Sequence, residues 1–149
     1  MTKPRVRLQR PTVLVSDLGR ALTFYRDVLG FEVVFTKDSD AASYSYDVFE
    51  IPRSSSLRFC VLGTAEQRNC LALSEVGGLA PITGTPRRSA IVLECADFDG
   101  VVEGARDLGL HVYPEDTLIT KDGREGREIG IVDFDGNLVA VYLITKAAD

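Results

Sequence analysis

The chain has 149 residues, 45% hydrophobic and 26% charged, the composition of one globular domain rather than of a disordered segment. Lys and Arg number 17 against 22 Asp and Glu, a formal net charge of −5. That balance disfavours nonspecific binding to nucleic acid or to an anionic membrane. The single histidine, His111, excludes any site that needs two or three imidazoles from one chain.

Residues 1–10 are basic with no apolar stretch behind them, which reads as a frayed lead-in and not a secretory signal. No apolar run approaches the roughly 20 residues of a membrane span. Residues 11–16, PTVLVS, read as a strand. Asp17 is placed to cap a helix over residues 18–29. Leu18, Ala21, Leu22, Tyr25, Val28 and Leu29 form its apolar face at three- and four-residue spacing. Gly30 stands where a left-handed closing residue is needed, and residues 31–35, FEVVF, begin the next strand. Residues 37–56 are ambiguous. They hold Tyr44, Tyr46 and Phe49, then Pro52 and a serine run, and fit either an aromatic lid or an edge that carries dimer contacts. Residues 57–63 and 69–75 flank a polar connection and predict a hairpin.

Residues 77–88, rich in Gly and Pro, predict a linker. Beyond it the order repeats. Residues 90–95 read as a strand, and Asp97 or Asp99 caps a helix with Val101, Val102, Ala105 and Leu108 on one face. Gly109 ends the helix, and residues 110–113 begin a strand. Residues 127–132 and 138–144 flank a DFDGN turn. Asp97 falls on Asp17 at an offset of 80, with Arg106-Asp107 on Arg26-Asp27. The expected organisation is a single domain, 1–149, built as β-α-β-β-β twice: module one over about 9–76, the linker over 77–88 and module two over about 89–145. The fold class is α+β.

Three cysteines, Cys60, Cys70 and Cys95, include no CxxC pair and signal neither a disulfide scaffold nor a zinc knuckle. They point to small buried thiols in a reduced, cytoplasmic protein. Cys60 and Cys70 could approach across the hairpin and, with Glu94, hold zinc. Packing in a sheet is the simpler account.

VLVSDLGRALTFYRDVLGFEVV at Val13–Val34 and GREIGIVDFDGNLVAVY at Gly126–Tyr142 resemble the vicinal oxygen chelate superfamily. That superfamily includes glyoxalases, extradiol dioxygenases and the bleomycin- and fosfomycin-resistance proteins. The resemblance covers residues 9–144. It implies two βαβββ modules whose curved mixed sheets form a cleft, and a homodimer. Metal enzymes of the superfamily take His, Gln or Glu ligands from the first and last strand of each module. The matching positions here are Arg10, Ala72, Ala90 and Ala140. Alanine offers no lone pair, and arginine is a permanent cation. The expectation is therefore that the inherited metal site is lost and that no cofactor is needed. His111 matches Glu32, away from the ligand strands, and reads as an exposed or sheet-edge imidazole.

Strand alternation suggests that Val13, Val15, Ile91, Leu93, Leu71, Leu73, Val139 and Val141 face helices. The opposite parity lines the cleft with Arg10, Thr12, Leu14, Arg58, Cys60, Leu62, Cys70, Ala72, Ser74, Arg88, Val92, Glu94, Leu138 and Tyr142. Arg10 and Arg58 would meet an anionic or carbonyl group, with Tyr142 and Glu94 orienting the rest of the ligand. Alternatively these charges reach solvent at the rim or pair with each other. Arg127 is expected to brace the DFDGN turn through Asp133 or Asp135. The resulting reading is a small-molecule-binding protein with a small organic ligand as its partner. The alternative is a glyoxalase-like lyase or isomerase, or a dioxygenase, using noninherited metal ligands such as Glu94, Asp47 or Glu75. A module kept for protein interaction is a third reading.

Overall fold

The computed structural model describes residues 2–149. Met1, part of the expected lead-in, lies outside them, and residues 2–9 are irregular and exposed. The elements run β1 Thr12–Val15, α1 Leu18–Tyr25, β2 Glu32–Asp38, α2 Tyr44–Val48, β3 Leu57–Gly63 and β4 Leu71–Val76. They continue as β5 Ala90–Glu94, α3 Phe98–Asp107, β6 His111–Val112, β7 Asp116–Ile119, β8 Glu125–Val132 and β9 Leu138–Lys146. Two sheets form, in the orders β1-β4-β3-β2 and β5-β9-β8-β6, with β7 also paired to β8. The pairs β1–β4 and β5–β9 are parallel, and the others are antiparallel. The fold is α+β with mixed sheets, laid down in the expected β-α-β-β-β order twice. In the second sheet, β6 and β7 share the edge that β2 fills alone in the first.

The registers give the repeat a geometric form. Thr12 pairs with Ala72 in the first sheet, and Val92 pairs with Ala140 in the second. Aligning Asp17 with Asp97 sets Thr12 on Val92, so Ala72 and Ala140 occupy one equivalent position. Gly30 and Gly109 close the two helical segments at φ +87 and +75, the left-handed conformation that glycine enters at least cost.

The chain divides into two compact units, and they depart from the repeat at one place. One comprises the chain up to Leu18 with Gly30–Leu79, and the other comprises Gly19–Leu29 with Ala80–Asp149. The helix of the first repeat thus belongs to the second unit. Tyr25 donates its hydroxyl to Asp133 Oδ2 at 2.7 Å, buried. A Cβ on Gly104 would stand 3.0 Å from both Val28 methyls, so the bare α3 backbone there admits the segment after α1.

In the first unit, both faces of the sheet are buried. Val15, Cys60, Leu62, Leu71 and Leu73 lie on one face. Leu57, Val61, Ala72, Ser74 and Val76 lie on the other, which is covered at its β3–β4 end by Tyr46 and Ile51, with Leu14 and Leu79 packed alongside. In the second unit, α3 buries Phe98, Val101, Val102 and Ala105 and packs against β6 and β9. Ile129, Ile131, Val139 and Val141 lie buried on one side of that sheet. Its other side is open.

Candidate functional site

Strand β9 alternates buried Val139 and Val141 with half-buried Leu138, Ala140 and Tyr142. Residues paired across a sheet share a face, so the open side is read from the register. One row runs Val92–Ala140–Gly130 across β5, β9 and β8. The next runs Glu94–Tyr142–Glu128–Asp116 and extends onto β7. The small side chains of the first row leave a hollow.

A cavity of about 270 Å³ lies there. Val92, Leu118 and Ala140 give it apolar walls, and Thr120, Arg124, Glu128 and Tyr142 supply polar groups. Val92 is 64% exposed in the middle of a strand, apolar surface that a ligand would remove from water. The wall carrying Thr120 and Arg124 is a tight turn. Thr120 N donates to Arg124 O at 2.9 Å, Gly123 N donates to Thr120 O at 3.0 Å, and Gly123 takes φ +89. Arg124 is held by Asp122, Nε to Oδ1 3.1 Å. Tyr142 donates its hydroxyl to Glu94 Oε2 at 3.3 Å.

Of the residues expected in a cleft, Val92, Ala140 and Tyr142 line this cavity, and Glu94 stands beside it, accepting the Tyr142 hydroxyl. Arg88 and Leu138 belong to the second unit but do not line the cavity, and the others lie in the first unit and do not form one group. Arg10 stands over the Phe59 ring at 5.6 Å, on the face that bears Thr12, Ala72 and Ser74. The parity expected for β3 is corrected. Arg58, Cys60 and Leu62 pair with Glu75, Leu73 and Leu71, opposite to Arg10 and Thr12, and the face shared with Arg10 carries Phe59 and Val61 instead. Arg58 pairs with Asp38 at 3.5 Å. Cys60 is fully buried, and burial raises its thiol pKa despite a hydrogen bond with Thr36; a thiol so placed is inert. Cys70 is half-buried next to Leu71, on the Ala72 side by alternation, so the two thiols do not face each other.

Other expectations are also resolved. Arg127 does not brace the DFDGN turn. It binds Glu115 at 2.7 Å and Asp99 at 2.8 Å and lies over the Phe98 ring at 4.4 Å. The cations at the turn are Arg20, 3.9 Å from the Asp135 carboxylate and 5.0 Å above Phe134, and Arg87, whose Nη1 donates to Gly136 O at 2.9 Å. Tyr46 is not a lid over open space but is packed against the first sheet, while Tyr44 is exposed. His111 is exposed on β6, its ring edge-on to Tyr113 at 4.5 Å, as expected. Asp97 caps α3 by accepting from Gly100 N at 3.2 Å.

The noninherited metal candidates are dispersed among structural tasks. Glu75 accepts the first amide of α1, Leu18 N, at 2.5 Å. Asp47 pairs with Arg53 at 2.6 Å, and Glu94 takes the Tyr142 hydroxyl. Among the described residues no three of His, Cys, Asp and Glu converge as a metal site. No helix of the described residues is long and apolar enough to cross a membrane.

Leu118, Thr120, Arg124 and Glu128 were not expected at a site. The available signal was Asp122-Gly123, a turn dipeptide like Asp135-Gly136, preceded by the alternating stretch DTLIT.

A profile described as the Glyoxalase/Bleomycin resistance protein/Dioxygenase superfamily matches residues 7–141. The fosfomycin resistance protein FosX of Listeria monocytogenes is 24% identical over 136 residues, 91% of this chain and 87% of its own. A glyoxalase family protein from Bacillus cereus superposes with a TM-score of 0.72 at 15% identity, over 97% of this chain and 98% of that one. The Listeria monocytogenes FosX structure complexed with Mn(II) and sulfate superposes with a TM-score of 0.59 at 19% identity, over 93% of each chain.

Proposed function

Because the chain belongs to the Glyoxalase/Bleomycin resistance protein/Dioxygenase superfamily, we propose that it binds a small organic molecule on the open side of its second sheet, without a resident metal. The observation that carries this reading is the cavity around Ala140. At a position where the resemblance would place a ligating side chain, this chain has a methyl group and empty volume. Small-molecule sites are concave and mostly apolar with a few placed polar groups, and this one has apolar walls with a phenol, a hydroxyl, a carboxylate and a guanidinium at its margin.

A divalent ion does not fit the residues present. Ala72, Ala90 and Ala140 have no donor atom, and Arg10 is cationic and lies over Phe59. Binding by burial and shape needs no metal.

Metal analysis of the purified protein, combined with thermal denaturation in the presence of 2-naphthalenemethanol, tests the reading. The expected result is substoichiometric Zn, Fe, Mn and Ni, with a ligand-induced rise in Tm that survives EDTA. Ala140→Phe, which fills the hollow, is expected to abolish the rise. Stoichiometric metal, or a Tm rise that EDTA removes, would overturn the metal-free reading.

A further inference from the structure

We infer that the cavity of the second unit selects an amphipathic cation: a compact apolar body bearing an amine. The inference rests on the reading of this cavity as the ligand site and adds the charge of its occupant.

The apolar body follows from the walls. Val92, Leu118 and Ala140 present hydrocarbon only, and the Val92–Ala140–Gly130 row is too small to fill the space above it. The charge follows from the neighbouring row, Glu94–Tyr142–Glu128–Asp116. With strands about 4.8 Å apart, three carboxylates and a phenol lie in one row, in which Tyr142 and Glu128 line the hollow and Glu94 and Asp116 flank them. None of the three carboxylates forms an ion pair among the described residues. The guanidinium in the wall, Arg124, already has Asp122 at 3.1 Å. The arginines that would have argued for an anion, Arg10 and Arg58, belong to the first unit, where one stacks on Phe59 and the other pairs with Asp38.

Tyr142 adds an independent preference. Its proton is directed to Glu94, which leaves the phenol oxygen free to accept and the ring face free to attract a cation. Apart from Arg124, which Asp122 already engages, an anionic ligand would meet lone pairs, a π face and three carboxylates. An ammonium group would meet acceptors along the row.

Three probes with one apolar body separate the charge from the cavity: 2-naphthylmethylamine, 2-naphthalenemethanol and 2-naphthoate. Each is titrated at neutral pH and low salt while the backbone amide signals of Val92, Leu118 and Ala140 are followed by NMR. The amine is expected to bind about tenfold tighter than the carboxylate, with the alcohol between them, and added salt is expected to narrow the gap. In Glu94→Gln/Glu128→Gln the amine is expected to fall to the affinity of the alcohol. Unchanged amide signals far from the cavity verify the fold of that variant. Equal affinities for all three probes would overturn the charge selection while leaving the cavity as the ligand site. A preference that survives the double variant would overturn its assignment to these carboxylates. If no probe moves the three amides, the cavity reading falls and this inference falls with it.

Discussion

At the scale of single residues, the densest chemistry lies in the DFDGN turn. Asp133 Oδ1 accepts from the amides of Asp135 and Asn137 at 2.9 and 2.8 Å, and its Oδ2 accepts from Asn137 Nδ2 at 2.9 Å and from Tyr25 at 2.7 Å. Asp133 is buried, so its carboxylate needs these partners. Tyr25→Phe removes one of them and is expected to cost about 1–3 kcal/mol, measured by urea denaturation. Burial, together with the charge of Asp133, pushes the Tyr25 hydroxyl far above its ordinary value. A raised folded pKa means stability that is complete below the unfolded value, about 10, and that declines as pH rises beyond it. The wild-type chain is therefore expected to lose stability above pH 10 more steeply than Tyr25→Phe. Equal slopes in alkaline denaturation would remove Tyr25 from that role.

At the scale of elements, strand existence was legible and strand facing was not always so. The stretch LRFCVLG at β3 has apolar residues in both parities, so alternation alone cannot decide which set turns inward. The turn before β4 decides it, by pairing Cys60 with Leu73 and Val61 with Ala72. In the second module the facing of β9 is legible because Val139 and Val141 alternate with a small residue and a tyrosine. α2 escaped detection because its five residues are too few for a helical period to emerge. Its presence is decided by tertiary packing. Tyr46 is 7% exposed, packs with Ile51, Leu57 and Val76, and donates its hydroxyl to Ser55 O at 2.9 Å. Tyr46→Ala is expected to destabilise the chain by roughly 3 kcal/mol, read from the denaturant midpoint at constant m-value.

Arg127 ties α3 to the segment between β6 and β7 through Asp99 and Glu115, and its guanidinium holds both carboxylates below their ordinary range. A lowered folded pKa stabilises above the unfolded value and is lost as pH falls. The difference in Tm between wild type and Arg127→Ala is expected to shrink from pH 7 to pH 3. A constant difference would show that the pairing adds nothing beyond packing on Phe98.

At the scale of the whole molecule, the two repeats share a scaffold and differ in what they leave open. The row Glu94–Tyr142–Glu128–Asp116 of the second sheet corresponds to Leu14–Ser74–Phe59–Lys37 of the first. Two carboxylates and the phenol are replaced by apolar or hydroxyl groups, and Lys37 stands where Asp116 does. The first row's face is also covered in part by Tyr46 and Ile51. One ligand per chain is therefore expected, and calorimetric titration with 2-naphthylmethylamine should give a stoichiometry near one; two equivalent sites would contradict this assignment. The sequence revealed the duplication because caps and closing glycines are local features. It did not reveal which sheet face stays open, because that depends on where residues 39–56 fold back.

The placement of α1 in the second unit bears on how the chain reaches its native state. The hydroxyl of Tyr25 and its acceptor on Asp133 are 108 residues apart, so the helix nearest the N-terminus is completed by one of the last turns to be made. During synthesis, α1 emerges long before its partner, with an apolar face that nothing from the second unit yet covers. A contact of such range carries a loop-closure cost that slows folding. The two halves of the duplication are thus not two independent folding units, and the first repeat acquires its helical partner only when the second is complete.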